Sequence, residues 1–219
     1  MKKLYCYLFL PVFVVVFFTS CVTKDAYYSG QEPLKKNSGL ALASAIANKE
    51  IGSHLFVLID IVNTQTNEEL TLENRVCQVK KRDVGLLAKA FISKERSKDI
   101  IQTPKGCGNI ITGELTSGQY ELKQIKIFSQ DISSGMLASK IRYIPKAKHF
   151  FTIKPSEVTY IGNVDIFISR MLMSSHISDG TIEMNDRFEL SKEIMKKHFH
   201  RLKKTKVTNS TIRLEAKNI

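Results

Sequence analysis

The chain has 219 residues, a formal net charge of +12 and 43% hydrophobic residues, enough for one large domain or two small ones. The positive surplus favours anionic partners such as nucleic acid, lipid head groups, lipopolysaccharide phosphates or acidic polymers, unless it is simply a solvated basic surface. Several chemistries lack their signature: there is no Cys-x-x-Cys pair, G-x-S-x-G elbow, H-E-x-x-H helix or G-x-x-x-x-G-K-[ST] loop.

Residues 1–24 read MKKLYCYLFLPVFVVVFFTSCVTK. Lys2 and Lys3 form a positive n-region, residues 4–18 an apolar run, and Thr19, Ser20 and Cys21 a small or polar stop, which is the layout of a secretory signal. Pro11 interrupts the run, which falls short of the roughly 20 apolar residues needed to span a bilayer. The ending Phe18-Thr19-Ser20-Cys21 resembles the lipobox of bacterial lipoproteins, with Phe18 in place of the usual Leu. That resemblance implies cleavage of a 1–20 signal peptide, a diacylglyceryl thioether on the Cys21 sulfur and an acyl chain on its freed amine. Each buried methylene contributes about 0.8 kcal/mol, so several chains hold a protein on a membrane almost permanently. Val22, where enterobacterial lipoproteins retained in the inner membrane carry Asp, implies the outer membrane, with the chain facing the periplasm. An uncleaved anchor and an ordinary secretory signal are the alternatives. Export makes nucleic acid a poor partner.

Of the four cysteines, Cys6 leaves with the signal and Cys21 takes lipid. Cys77 and Cys107 are then an even pair in an oxidising compartment, and a bridge between them would contribute ~3–4 kcal/mol. They are too far apart in sequence to make a zinc site alone. Residues 21–38 are polar and without period, and read as a lipidated flexible tether reaching roughly 20–25 Å.

The folded part is expected over residues 39–204. Residues 39–48, GLALASAIAN, fit a helix or a buried strand equally well. Residues 54–63, HLFVLIDIVN, read as a central strand with both faces apolar, Asp60 being the exception. A lone buried carboxylate can be catalytic; pairing with a lysine is the commoner fate. Segments 69–81 and 85–92 are short strands or helices, and 93–98 is a charged turn or short helical piece.

Leu115, Gly118, Tyr120 and Leu122 spell L-x-x-G-x-Y-x-L, with a slip near Gln124 before Ile125 and Ile127 that reads as a β-bulge. Phe151, Ile153, Val158 and Tyr160 step by two around a Pro155-Ser156-Glu157 turn, and Gly162 closes that compact part. These two stretches resemble transthyretin-like and carboxypeptidase-regulatory-like domains. There a P-G-x-Y-x-L strand recurs, and in small lipoproteins an F-x-V-x-P-G-E-x-x-Y-I-G strand often accompanies it. Here Ser117 replaces the Pro and Ser156 the Gly. The resemblance implies a mainly β fold, an antiparallel β-sandwich, and no catalytic residues.

Residues 171–178 read as a loop, Asp179-Gly180 as a turn and 181–188 as a strand. Ser191 suits the N-cap of a C-terminal amphipathic helix, 191–204, with an apolar stripe of Ile194, Met195, His198, Phe199 and Leu202. Residues 205–219 read as a basic tail with one strand at 211–214. Lys196, Lys197, Arg201, Lys203 and Lys204 are the candidate anion-binding residues. His198 and His200 diverge by about 200° on a helix, which argues against a metal site. Ser174, Ser175, His176 and Asp179 hold triad residue types without triad evidence. The expectation is therefore a membrane-anchored cell-envelope protein without a cofactor, acting as a non-catalytic binding or assembly component for an envelope partner. The alternatives are an envelope hydrolase or transferase, around His149, Asp165 or His176, and a basic anion- or lipid-binding module.

Overall fold

Residues 38–47 alternate two kinds of apolar side chain, and that alternation places them between two layers. The computed structural model describes residues 24–25, 28, 32–48, 53–76, 101–103, 106–131, 137–172 and 176–218. Its strands are β1 (Lys24–Asp25), β2 (Ser38–Ala47), β3 (Ser53–Asn63), β4 (Glu69–Val76), β5 (Ile101–Thr103), β6 (Gly106–Thr116) and β7 (Gly118–Asp131). They continue as β8 (Leu137–Tyr143), β9 (His149–Ile153), β10 (Val158–Leu172), β11 (His176–Asn185), β12 (Val207–Asn209) and β13 (Leu214–Asn218). One helix, α1 (Phe188–His198), and a short 3-10 turn (His200–Leu202) complete the described elements.

The fold is mainly β, in two sheets. The first runs β1-β4-β3-β7-β8, with β9 beside β8 on the outer edge of β7; the second runs β13-β11-β10-β2-β6-β5, with β12 also on β10. Ala41, Ala43, Ala45 and Ala47 of β2 share one apolar cluster with Leu55, Val57, Ile59 and Ile61 of β3. Leu40, Leu42 and Ile46, on the opposite face of β2, join a second cluster beneath α1. The helix-or-strand ambiguity of this segment thus resolves as a strand. β6 and β10 take up its backbone groups on either side, and every one of its residues is buried.

Both motif stretches form strands, and their odd residues have structural causes. The register of β3 against β7 slips at Lys123, between Leu122 and Gln124, where the alternation breaks. The Tyr120 hydroxyl donates to the Thr116 carbonyl at 2.9 Å, tying the strand to the residues just before its turn. Gly118 between them has φ 156°. The Pro155-Ser156 turn forms as expected, with Ser156 at φ 57°.

Other expectations are corrected. Gly162 closes nothing: β10 runs through it at φ 139°, and the register against β2 shifts there. Asp179 and Gly180 lie within β11 rather than in a turn, and Met171 lies in β10. The pairing is not wholly antiparallel, because β2–β10, β10–β12 and β1–β4 are parallel. The basic tail is part of the second sheet: β12 pairs β10, β13 pairs β11, and Ile212 between them is buried.

The tether is corrected most. Lys24 and Asp25 pair with Leu70 and Thr71 on the edge of the first sheet. Tyr28 is buried; its N–H donates to the Thr112 carbonyl and its own carbonyl accepts from Thr112 Oγ1 at 3.0 Å. A sequence without period can still be held when its backbone and one aromatic ring find partners.

Candidate anion-binding surface

The candidate surface is built on α1, and α1 is placed by its apolar side. Phe188, Leu190, Ile194, Met195, Phe199 and Leu202 pack with Leu40, Leu42, Ile46 and Tyr160 over the outer face of the second sheet. Phe188 meets Tyr160 with ring centroids 5.6 Å apart, and Phe199 stacks on Tyr28 at 6.5 Å. Arg187 pairs with Asp165 at 3.1 Å just before the first turn.

Ser191 is not the N-cap. The helix starts at Phe188, whose N–H donates to Asp186 Oδ1 at 2.9 Å. Ser191 is instead fully buried, with its hydroxyl 2.9 Å from that of Ser44 on β2. Ser44 also donates to Asn163 Oδ1 at 2.7 Å, and the Tyr160 hydroxyl, which accepts the Arg187 N–H, belongs to the same buried group. Burial pushes the Tyr160 phenol up from its ordinary 10.0, and hydrogen bonds from Arg187, Ser191 and Ser44 only partly offset this. Nothing in the sequence marks this cluster except Ser44 within an otherwise apolar strand.

Exposed Glu189 and Glu193 lie in the first half of α1; beyond them its solvent side is left to cations. No acidic residue occurs between Glu193 and Glu215. Lys196 is half-buried, while Lys197, Arg201, Lys203 and Lys204 are exposed. Among the described residues, none of the five forms an ion pair. Neighbouring lysines do: Lys192 with Glu189 at 3.3 Å and Lys206 with Glu157 at 2.9 Å. Lys196, Lys197 and His198 sit in the last helical turn, where positive charge complements the helix dipole by about 0.3–1 kcal/mol each. The arrangement can attract an anion by charge. His198, expected in the apolar stripe, is exposed, as is His200.

The remaining candidates do not converge. Asp60 is buried in a satisfied pairing, accepting from Thr71 at 2.9 Å and Gln124 at 2.8 Å and meeting Lys126. Asp165 holds Asn185 and Arg187. His176 lies opposite Leu172, seven residues along β10 from Asp165, a separation of ~23 Å. His149 is on the other sheet, opposite Leu122. Asp179 accepts from Ser169 at 2.7 Å; Ser174 and Ser175 lie outside the described residues. Among the described residues no group of three or more His, Cys, Asp or Glu could hold a metal ion, and no helix is long and apolar enough to cross a membrane. Cys107 lies in β6 and is disulfide-bonded. Its expected partner Cys77 and the lipidation candidate Cys21 lie outside the described residues.

No family model matches the chain, and no curated protein matches its sequence. Among solved structures it is similar to a leucine-rich repeat protein from Bacteroides thetaiotaomicron VPI-5482, at 13% identity and a TM-score of 0.30. The match covers 60% of this chain and spans 14% of that protein's chain. An overlap this slight carries no argument about fold or function.

Proposed function

We propose that this chain is a lipid-anchored component of a bacterial cell envelope that works by binding an anionic partner rather than by catalysis. Its anchor is Cys21, its membrane the outer membrane, and its side the periplasm. The two sheets form a β-sandwich of the transthyretin-like kind, mixed rather than wholly antiparallel, with α1 laid over one outer face. One observation carries the binding role: Lys196, Lys197, Arg201, Lys203 and Lys204 lie together on the C-terminal segment, with no carboxylate paired to any of them among the described residues. Evenly mixed surface charge would have neutralised such a run. Support for the anchor comes from the lipobox-like ending at Cys21.

The two parts are tested separately. Metabolic labelling with a clickable fatty acid should mark the wild-type chain and not Cys21→Ala; equal labelling of both removes the anchor. The detergent-solubilised chain should be retained on an immobilised polyanion at low salt and released as the Debye length shrinks to about 8 Å at physiological ionic strength. A variant with Lys197, Arg201, Lys203 and Lys204 all changed to Gln should elute markedly earlier. Retention unchanged in that variant would show that the binding surface lies elsewhere.

A further inference from the structure

The pairing of Lys24 and Asp25 bears on which end of the domain would face the bilayer on the proposed anchor. Lys24 and Asp25 run parallel to Leu70 and Thr71, so the chain enters the sheet from the side of the 64–66 turn that precedes β4. Three peptide units separate Cys21 from Lys24 and span at most about 11 Å. A flexible tether of residues 21–38 would have let the domain stand off; a chain paired into a sheet at Lys24 cannot.

Backbone hydrogen bonds link the segments at this end. Thr64 bonds to Gln119, Ser117 to Asn37, Ser156 to Ser38, Leu40 to Glu157 and Val158 to Lys206. Exposed Lys35, Lys36, Lys154 and Lys206 lie on or beside those segments, and exposed Lys203 and Lys204 immediately precede Lys206. The carboxylates at or beside the same end are Asp25, Glu32, Glu68, Glu69, Glu114 and Glu157. Glu157 is neutralised by Lys206 at 2.9 Å, and Glu114 is engaged by the Ser38 hydroxyl and the Lys35 N–H. Asp25, Glu68 and Glu69 stand on the first-sheet side, while on the second-sheet side exposed Glu32 is outnumbered by Lys35, Lys36, Lys154, Lys203 and Lys204, which leaves that side net cationic.

We infer that this end docks flush on the membrane, with Lys35, Lys36, Lys154, Lys203 and Lys204 against the phosphates of anionic lipid head groups. The inference rests on the proposed anchor at Cys21 and names the anionic partner of the proposed function: the lipid surface itself. Exposed charges act across roughly a Debye length, about 8 Å at physiological salt, so a domain held within ~11 Å of its anchor keeps these lysines in range. A domain on a 20–25 Å tether would spend most of its time outside it.

The test uses the full processed chain reconstituted in vesicles of pure phosphatidylcholine or of equimolar phosphatidylcholine and phosphatidylglycerol, with head-group quenchers. Single fluorophores are placed at Lys36, at Lys154, and at Phe167. Phe167 is exposed and lies nine residues along β10 from Val158, ~30 Å toward the opposite end. Quenching several-fold stronger at Lys36 and Lys154 than at Phe167 in the anionic vesicles is expected. It should fall on changing Lys203 and Lys204 to Gln. Equal quenching at all three sites would overturn flush docking, as would capture of an acidic protein by these lysines with no lipid contact. Fatty-acid labelling on the same preparation separates the two ideas. If Cys21 carries no acyl group the anchor reading falls, while site-selective quenching of a chain held by charge alone would still support docking, and its absence would overturn it.

Discussion

Ser156 holds a backbone conformation that side chains resist. At φ 57° its Cβ crowds the following carbonyl, at a cost of roughly 1–2 kcal/mol. The neighbouring Ser156 N–H to Ser38 carbonyl bond at 2.8 Å keeps the turn in place. Ser156→Gly should relieve that strain while losing about 0.4–1 kcal/mol through a looser unfolded chain, for a net gain of ~0.5–1 kcal/mol by urea unfolding. This position was legible: the glycine that the resembling motif carries there is the residue its geometry asks for. Tyr160 was legible only as an apolar strand residue, because its hydroxyl contacts come from α1 and β2, far away in sequence. Burial raises its phenol above 10.0. The unfolded chain therefore loses its proton first as pH rises, so the stability the neutral phenol contributes is intact below about pH 10 and declines as pH climbs toward the folded value. Tyr28 and Tyr143 are shifted the same way, chiefly by burial. Tyr160→Phe should lessen the alkaline loss of stability, measured as the difference in melting temperature between neutral pH and pH above about 10.

At the scale of elements, the helix shows how far pattern reading reaches. Met195 and Leu202 are buried and Ile194 and Phe199 partly so, so most of the apolar stripe was visible at its 3.6-residue period. The start was misplaced because Ser191, a good cap by type, spends its hydroxyl on Ser44 in the sheet beneath rather than on the helix N–H groups. Met195 is fully buried under this contact, and Met195→Ala should cost about 2–5 kcal/mol by cavity formation. The loss should fall first on α1: its amides should exchange faster in the variant while those of β2 stay slow, because β2 is hydrogen-bonded on both sides. Equal acceleration throughout would mean that α1 and the sheet open as one unit. β1 was beyond reach, since two residues carry no period and their partners at Leu70 and Thr71 lie far along the chain.

Across the whole molecule, the β character, the strand around Asp60, the bulge at Lys123 and the turn at Ser156 followed from local signals of alternation and turn chemistry. The parallel β2–β10 pairing and the recruitment of β12 and β13 did not, because long-range register leaves no local mark. The disulfide joins both kinds of evidence. Residue types and compartment pointed to Cys77 with Cys107, and Cys107 is in fact bridged. β4 lies against β6, and Asn74 Nδ2 donates to the Ile110 carbonyl there. With Cys77 as its expected partner, the bridge would close a loop of about thirty residues, for which chain entropy gives ~3–4 kcal/mol. Reduction, or Cys107→Ser, should lower the unfolding free energy by that amount in urea titrations. Amide exchange should rise at β4, β5 and β6 before it rises at β10 and β11, since Cys107 lies in β6 and β4 and β5 lie against that strand. A midpoint insensitive to reductant would mean that the packing of the two sheets, and not the bridge, holds β4 against β6.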